Sequence, residues 1–277
     1  MAKFSVGCTL KYQLPDASTF VMNVAAARTA HQQIEQERFE ITPAGPVEEH
    51  VEPTTGNRYH RFAAESQAVS LHYAAMVTYT PRLADVTTLT VAPPDRLPLW
   101  ILPYLLPSRY CQSDHLMRLA YREFGGLPPG YQQVRAICEW IYRNVDYLVG
   151  MTGPLTSAFD VATSRVGVCR DFAHLGIALC RAVNIPARFV SGYAYQLSPP
   201  DFHAMFEVWL GDGWYLFDPT WQVLPQHMLR IGTGRDATDV SFGLIFGAAM
   251  MTSMEIHAHA LDTDDAVQPI DVAVAAI

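Results

Sequence analysis

No CxxC pair occurs in this chain, and its five cysteines (Cys8, Cys111, Cys138, Cys169 and Cys180) are odd in number and widely spaced. That pattern excludes a disulfide framework and points to a reducing compartment. Short-range ligand pairs of the HxxxH kind are lacking too; His257 and His259 stand two apart, which a strand would place on one face. There is no GxGxxG run and no Walker-type phosphate loop. The longest apolar stretch near the C-terminus, Phe242 to Met254, is too short and too interrupted by Gly, Ser and Thr to span a bilayer. The opening residues, MAKFSVGCTLKYQL, contain no continuous apolar core and no cleavage site of a signal peptide. From these absences the chain is expected to work without a cofactor or metal, without a membrane, and in the cytoplasm. Basic residues are the minority: the net charge is −8, which argues against nucleic acid as a partner. What is present is ordinary globular material. Half of the 277 residues are hydrophobic, enough for a sizeable core and comfortable for two domains. Oligomeric state leaves no trace in the sequence.

Residues 1–95 read as a β-rich domain. Strands are expected at Phe4–Leu14, Phe20–Val24, Val69–Tyr79 and Val86–Val91, where β-branched and aromatic residues concentrate. Turns are expected at Pro43–Pro46, Pro53–Asn57 and Pro81–Asp85. This describes a small antiparallel sandwich whose polar residues occupy strand exteriors and turns. The Pro-rich run Ala92–Pro107 is too apolar for a free tether and reads as a packed linker. Helical patterns follow at Asp114–Phe124, with Ser113 as a candidate cap, then at Tyr131–Asn144 and at about Val168–Val183. Strands are expected again at Ala187–Gln196 and Phe202–Leu210. A Gly211-Asp212-Gly213 turn then leads into Trp214–Asp218. A block of strands, then helices, then strands defines an α+β chain rather than alternating βαβ units. The expected division is a β domain over 1–95, a core over 96–261 and an acidic, small-residue tail over 262–277.

Three residues carry candidate chemistry. Cys169 falls in the first turn of the third helix, whose apolar stripe is Phe172, Leu175, Leu179 and Val183. Unpaired backbone N–H groups and the positive end of the helix dipole favour thiolate there. Cys180, late in the same helix, reads as core. His203 opens a strand, on the less apolar face, where a cleft can reach it. Asp218 ends the next strand, at the same end of the hairpin. Pairing Gly211 with Trp214 puts Asp218 opposite Glu207, four residues and roughly 13 Å short of His203, so that twist or a bulge has to close the gap. Cysteine at a helix start, histidine on a strand and aspartate on the next is the order used for thiol acyl transfer: nucleophile, proton carrier, and the carboxylate that orients the imidazole.

The segments GVCRDFAHL around Cys169, NIPARFVSGY at 184–193, FHAMFEVWL around His203 and GWYLFDPT around Asp218 resemble the transglutaminase-like superfamily, in the bacterial form often described as a cysteine protease. LPSRYCQSD at 106–114, GRDATDVS at 234–241 and the β-rich N-terminal part are similar to that family as well. The resemblance implies an N-terminal sandwich-like domain followed by a papain-like core, with Cys169, His203 and Asp218 as a triad. It implies a cysteine peptidase, an amidase or a transglutaminase-like acyltransferase, acting on a peptide, a protein or a small amide through a thioester. Asp171, two after the cysteine, is expected to serve structure at the helix start, with Arg170 offsetting its charge. Tyr147 is a candidate second oxyanion donor beside the Cys169 backbone N–H, though packing of the helical region accounts for both Tyr147 and Trp140. Trp209 and Trp214 fit either a cleft wall beside His203 or hairpin packing.

Two other readings stay open on sequence. Cys169, His203 and Asp218 are all able to ligate zinc. The fold could also keep the three side chains yet act as a non-catalytic binding or scaffold module.

Overall fold

The computed structural model describes residues 1–65, 67–262 and 272–275. Seven strands come first: β1 (Ala2–Leu14), β2 (Ser18–Met22), β3 (Gln32–Thr42), β4 (Glu48–Val51), β5 (Arg58–Ala64), β6 (Gln67–Tyr79) and β7 (Arg82–Asp85). Helices α1 (Ser113–Phe124) and α2 (Tyr131–Asn144) follow, then β8 (Asp146–Tyr147), α3 (Ala158–Ser164), β9 (Val166–Gly167) and α4 (Cys169–Ala182). The chain continues through β10 (Ala187–Ala194), β11 (Phe202–Leu210), β12 (Gly213–Phe217), β13 (Met228–Gly234), β14 (Gly243–Phe246), β15 (Met250–Ala260) and β16 (Val272–Ala275). The expected α+β order is what the fold shows.

Two four-stranded sheets make the N-terminal part, ordered β15-β1-β6-β3 and β14-β2-β5-β4. All their pairings are antiparallel. They pack through aromatic rings: Tyr12 of the first meets Phe20 of the second at 5.1 Å, and Phe20 stacks on Phe62 at 5.0 Å. Strands β3, β4 and β5 lay outside the expected set because they are polar. The sequence of β3, QQIEQERFEIT, has little apolar alternation and is mostly exposed or half-buried. Strands β14 and β15 fall inside the segment expected to belong to the core, yet they hydrogen-bond to β2 and β1. The pairing therefore divides the chain differently from a boundary at 261.

Other expectations need correction. Val86–Val91 is not a strand: Val86–Thr88 is a 3-10 turn in which Asp85 Oδ1 accepts from Thr87 N–H and Oγ1–H. Arg82–Asp85, expected as a turn, pairs with β16 from the expected tail. The rest of that tail, 263–271 and 276–277, lies outside the described residues. Ser113 begins α1 as a buried residue and caps nothing. Nor are the polar residues of the N-terminal part all exterior: Gln32, Asn57 and Arg58 are buried.

Those buried polar groups have a common task. The core sheet runs β12-β11-β10-β13, which leaves one edge of β13 without a strand partner. The side-chain amides of Gln32 and Asn57 fill the missing bonds. Gln32 donates to Arg230 O at 2.8 Å and accepts from Arg230 N–H at 2.8 Å; Asn57 does the same with Thr233, at 2.9 Å both ways. The N-terminal part is thus joined to the core by side chains that stand in for a strand. One apolar cluster runs across the junction, from Leu10, Phe20 and Leu71 to Val190, Met205 and Ile231. Among the described residues no helix is long and apolar enough to cross a membrane.

Helix α4 lies against the other face of the core sheet, and every residue from Asp171 to Ala182 is buried. Each of Phe172, Leu175 and Leu179 contributes about 1.5–3 kcal/mol by burial. Close approach to β11 is made possible by Gly176, where an added Cβ would sit 2.6 Å from the Phe206 ring. Gly176→Ala is therefore expected to destabilise the protein by about 1–3 kcal/mol through overpacking, although alanine is the better helix former by about 1 kcal/mol. Urea unfolding checks this; a variant as stable as wild type would mean that α4 and β11 have room to separate.

Candidate active site

Cys169 occupies the first position of α4, as expected, and is half-buried, whereas the other four cysteines are buried. The helix start is held by Asp171, which is fully buried. Its Oδ2 accepts from Val168 N–H at 3.0 Å and from Thr152 Oγ1–H at 2.6 Å. Its Oδ1 accepts from Arg170 Nη2 at 3.0 Å, and the same Nη2 donates to Gly153 O at 2.7 Å. Asp171 thus caps the backbone just before Cys169 and ties in the 152–153 loop, with Arg170 as its counter-charge.

His203 and Asp218 meet. His203 Nε2 lies 3.1 Å from Asp218 Oδ2, and both side chains are buried. The expected gap closes through a change of register rather than through a bulge. Leu210 pairs with Gly213, so the two-residue loop is Gly211-Asp212 rather than Asp212-Gly213. Gly211 takes the positive φ (+60°) that the first central position of a tight hairpin turn demands. Continuing that ladder sets Asp218 opposite Met205, two residues from His203 instead of four, which is diagonal-neighbour distance across a sheet. Past the strand end the chain turns back on Asp218: Oδ1 accepts from Thr220 N–H (2.8 Å) and Oγ1–H (2.6 Å), and Oδ2 also accepts from Val223 N–H (3.0 Å). Thr220 and Val223 went unnoticed on sequence; an Asp-Pro-Thr turn was the available signal.

With Nε2 engaged by Asp218, Nδ1 is the His203 ring nitrogen left for the Cys169 thiol, with which the imidazole also interacts. Burial disfavours the charged ring. Hydrogen bonding and charge attraction from Asp218 and Cys169 outweigh it and raise the His203 pKa to about 10. Tyr147 stands beside the same cysteine. Its ring packs on Phe172 at 5.7 Å, and its hydroxyl interacts with both the backbone N–H and the thiol of Cys169. Burial, then the nearby thiol, push the phenol up to about 12, so it is a donor at neutral pH. Trp140 packs only, against Phe124 and under Arg165. Trp209 and Trp214 pack on each other at 5.5 Å and on Ile101, away from Cys169.

The two further motifs, LPSRYCQSD and GRDATDVS, are joined to α4 by its own buried residues. Arg181 donates to Leu106 O, Ser108 Oγ, Ala187 O and Arg235 O. His174, fully buried and stacked on Tyr110, accepts from Ala237 N–H at 3.1 Å through Nε2. Burial pushes its pKa down to about 3, against the pull of Asp236, so it stays neutral. This clamp sets Tyr110 and Ala237 on the wall of a cleft of about 480 Å³ that reaches Cys169 and His203. The opposite wall comes from the N-terminal sheets and is apolar: Met22, Ile245, Met251 and Met254. Among the described residues no group of three or more His, Cys, Asp or Glu side chains is placed to hold a metal.

This is a thiol–imidazole–carboxylate arrangement on an α+β core. Residues 118–219 match the family model of the transglutaminase-like superfamily, and residues 2–89 match that of the bacterial transglutaminase N-terminal domain. A solved Cytophaga hutchinsonii structure, described as a "Putative Cysteine Protease", is 43% identical, with a TM-score of 0.94 over 99% of this chain and 97% of that one. The chain belongs to the transglutaminase-like superfamily. An uncharacterized Mycobacterium leprae protein is 37% identical over 39% of this chain and 42% of its own length. A Pseudomonas aeruginosa protein-glutamine gamma-glutamyltransferase is 37% identical over 24% of this chain and 11% of its own. The chain spans less than half the length of these curated relatives.

Two outcomes follow for the site. Burial pushes the Cys8 thiol up to about 11 and that of Cys111 up to about 12, and it raises Cys138 and Cys180 as well. Iodoacetamide at pH 7 is therefore expected to label Cys169 at least about tenfold faster than any other cysteine, read by peptide mass spectrometry. Equal labelling of Cys169 and Cys180 would contradict the geometry. The second outcome concerns pH. A raised folded pKa contributes stability in full below the unfolded value of about 6.5 and loses it as pH rises towards 10. The stability advantage of wild type over His203→Gln should shrink across that window in denaturant titrations; a constant difference would sink the charged-ring assignment.

Proposed function

We propose that the protein is a thiol acyl-transfer enzyme in which Cys169 attacks an amide or peptide carbonyl, His203 carries the proton and Asp218 orients the imidazole. The observation that carries this reading is the convergence of all three side chains, from a helix start and two strands, at one end of an apolar cleft. The Cys169 sulfur, as thiolate, bonds to the carbonyl carbon. The tetrahedral oxygen takes hydrogen bonds from the Cys169 backbone N–H and the Tyr147 hydroxyl. The C–N bond then breaks, the leaving amine takes the proton from His203, and a thioester remains on Cys169. Water, deprotonated by His203, releases an acid; an amine in its place gives transamidation. The apolar wall of the cleft favours substrates with an apolar group next to the reacting carbonyl. The five unpaired thiols fit a reducing, cytoplasmic setting. The similar proteins named as a "Putative Cysteine Protease" and as a protein-glutamine gamma-glutamyltransferase support this class of chemistry.

A screen of peptide and small-molecule amides, read by amine release, tests the reading. Cys169→Ala should lower turnover by at least roughly 10³-fold while keeping the fold. Asp218→Asn should lower kcat, by roughly 10²–10⁴-fold, much more than it changes KM. Intact-protein mass spectrometry should show an acyl adduct on Cys169 in the wild type. Full activity in Cys169→Ala would remove the proposal; a complete lack of turnover and adduct across the screen would favour the binding-module reading.

A further inference from the structure

A second cavity, of about 440 Å³, shares no lining residue with the Cys169 cleft. It opens where the hairpin of β11 and β12 meets the N-terminal part, and its chemistry is different. Arg188 of β10 and Arg230 of β13 line it, flanking Glu207 of β11, which is fully buried. Glu207 Oε2 accepts from Arg188 Nε at 2.8 Å, and Oε1 accepts from Arg230 Nη2. One carboxylate therefore serves two guanidiniums, each about nine-tenths buried. The cavity's other charged residues, Arg82 and Asp212, are exposed, lie 3.7 Å apart and offset each other. Among the described residues at this place, three guanidiniums face two carboxylates. A buried charge left without a counter-charge is costly, by several kcal/mol for an ion that stays unpaired.

Both arginines line the space. Arg188 is committed to Glu207 through Nε; among the described residues its Nη1 and Nη2 have no hydrogen-bond partner and are not sealed off by burial. Its guanidinium carbon lies 4.1 Å above the Trp214 ring, which fixes the plane of the donor fork. Burial lowers the Arg230 pKa; Glu207 pulls it up, and the charge of Arg188 adds to the lowering. Trp100, an exposed ring set edge-on to Trp209 at 5.2 Å, forms a flat apolar wall beside this fork.

We infer that this cavity binds a small organic anion, a carboxylate carried on a flat apolar body, with the free fork of Arg188 and the charge of Arg230 holding the carboxylate and Trp100 covering the body. Guanidinium and carboxylate match in a planar, two-point geometry, and a tryptophan face beside the pair accepts a planar group. The site does not depend on the chemistry at Cys169, because the two cavities share no residue.

The test uses benzoate as the probe on the full chain, with benzamide and inorganic phosphate as controls. Binding is read by calorimetry and by the shift in unfolding temperature. Benzoate is expected to bind saturably and to raise the unfolding temperature, while benzamide at the same concentration does neither. Arg188→Gln leaves Glu207 paired with Arg230 and should weaken benzoate by roughly tenfold or more, the worth of one charge-assisted hydrogen-bond pair. Trp100→Ala changes an exposed residue. It should weaken benzoate by roughly fivefold and leave phosphate unaffected, and it reads the same cavity should Arg188→Gln fail to fold. No saturable benzoate binding to wild type, equal binding of benzamide, or unchanged benzoate affinity in both variants would overturn the inference. Phosphate binding as tight as benzoate, with Trp100→Ala indifferent to both, would overturn the organic part of it.

Discussion

The hydrogen bond between Asp218 and His203 is the contact on which the candidate site depends. A carboxylate on a strand end is mobile unless its oxygens are occupied, and here three further donors, from Thr220 and Val223, occupy them. The imidazole is thereby turned so that one nitrogen faces Asp218 and the other faces Cys169. Hydrogen bonding and charge attraction from those same two neighbours raise its pKa against burial. The strand register that makes this possible follows from a two-residue loop with glycine at its first position. A loop longer by one residue would move every side chain of β12 to the opposite face.

The cleft, by contrast, is a product of the whole chain. Helix α4 brings Cys169 from one face of the core sheet, and buried Arg181 and His174 bind the segments that supply Tyr110 and Ala237. The other wall is built from the N-terminal sheets, which are fixed by two amide side chains, Gln32 and Asn57, paired to the edge of β13 as a strand would be. The last long strand, β15, returns to pair with β1 and brings Met251 and Met254 to the cleft. What approaches Cys169 is therefore decided in part by residues far from it in sequence.

Three of the four α-helices, the core hairpin and the order of the three chemical side chains were legible in the sequence because each is a local pattern; the short α3 was not expected. Apolar spacing marks α1, α2 and α4, and alternation with a Gly-Asp-Gly break marks β11 and β12. Beyond local patterns the sequence is silent. Strands β3 and β4 carry no apolar stripe. Strands β7 and β16 pair across about two-thirds of the chain, so one resembled a turn and the other a tail. The distance from Asp218 to His203 was misjudged because hairpin register turns on a single pair, Leu210 with Gly213 rather than Gly211 with Trp214. The position of Tyr147 beside Cys169 depends on β8 lying parallel to β9 just before that cysteine, a tertiary fact. Gln32 and Asn57 gave no sign of being buried, since what they satisfy is the edge of a strand nearly two hundred residues away.

The central claim is that His203 is an imidazolium at neutral pH, held by Asp218 on one side and the Cys169 sulfur on the other. Nitrogen-15 NMR of histidine-labelled protein, with His203 assigned by its loss in His203→Gln, measures this directly. The predicted result is a ring protonated at both nitrogens from pH 6 to beyond pH 8, titrating only near pH 10. A His203 signal that is already neutral at pH 8 would contradict it.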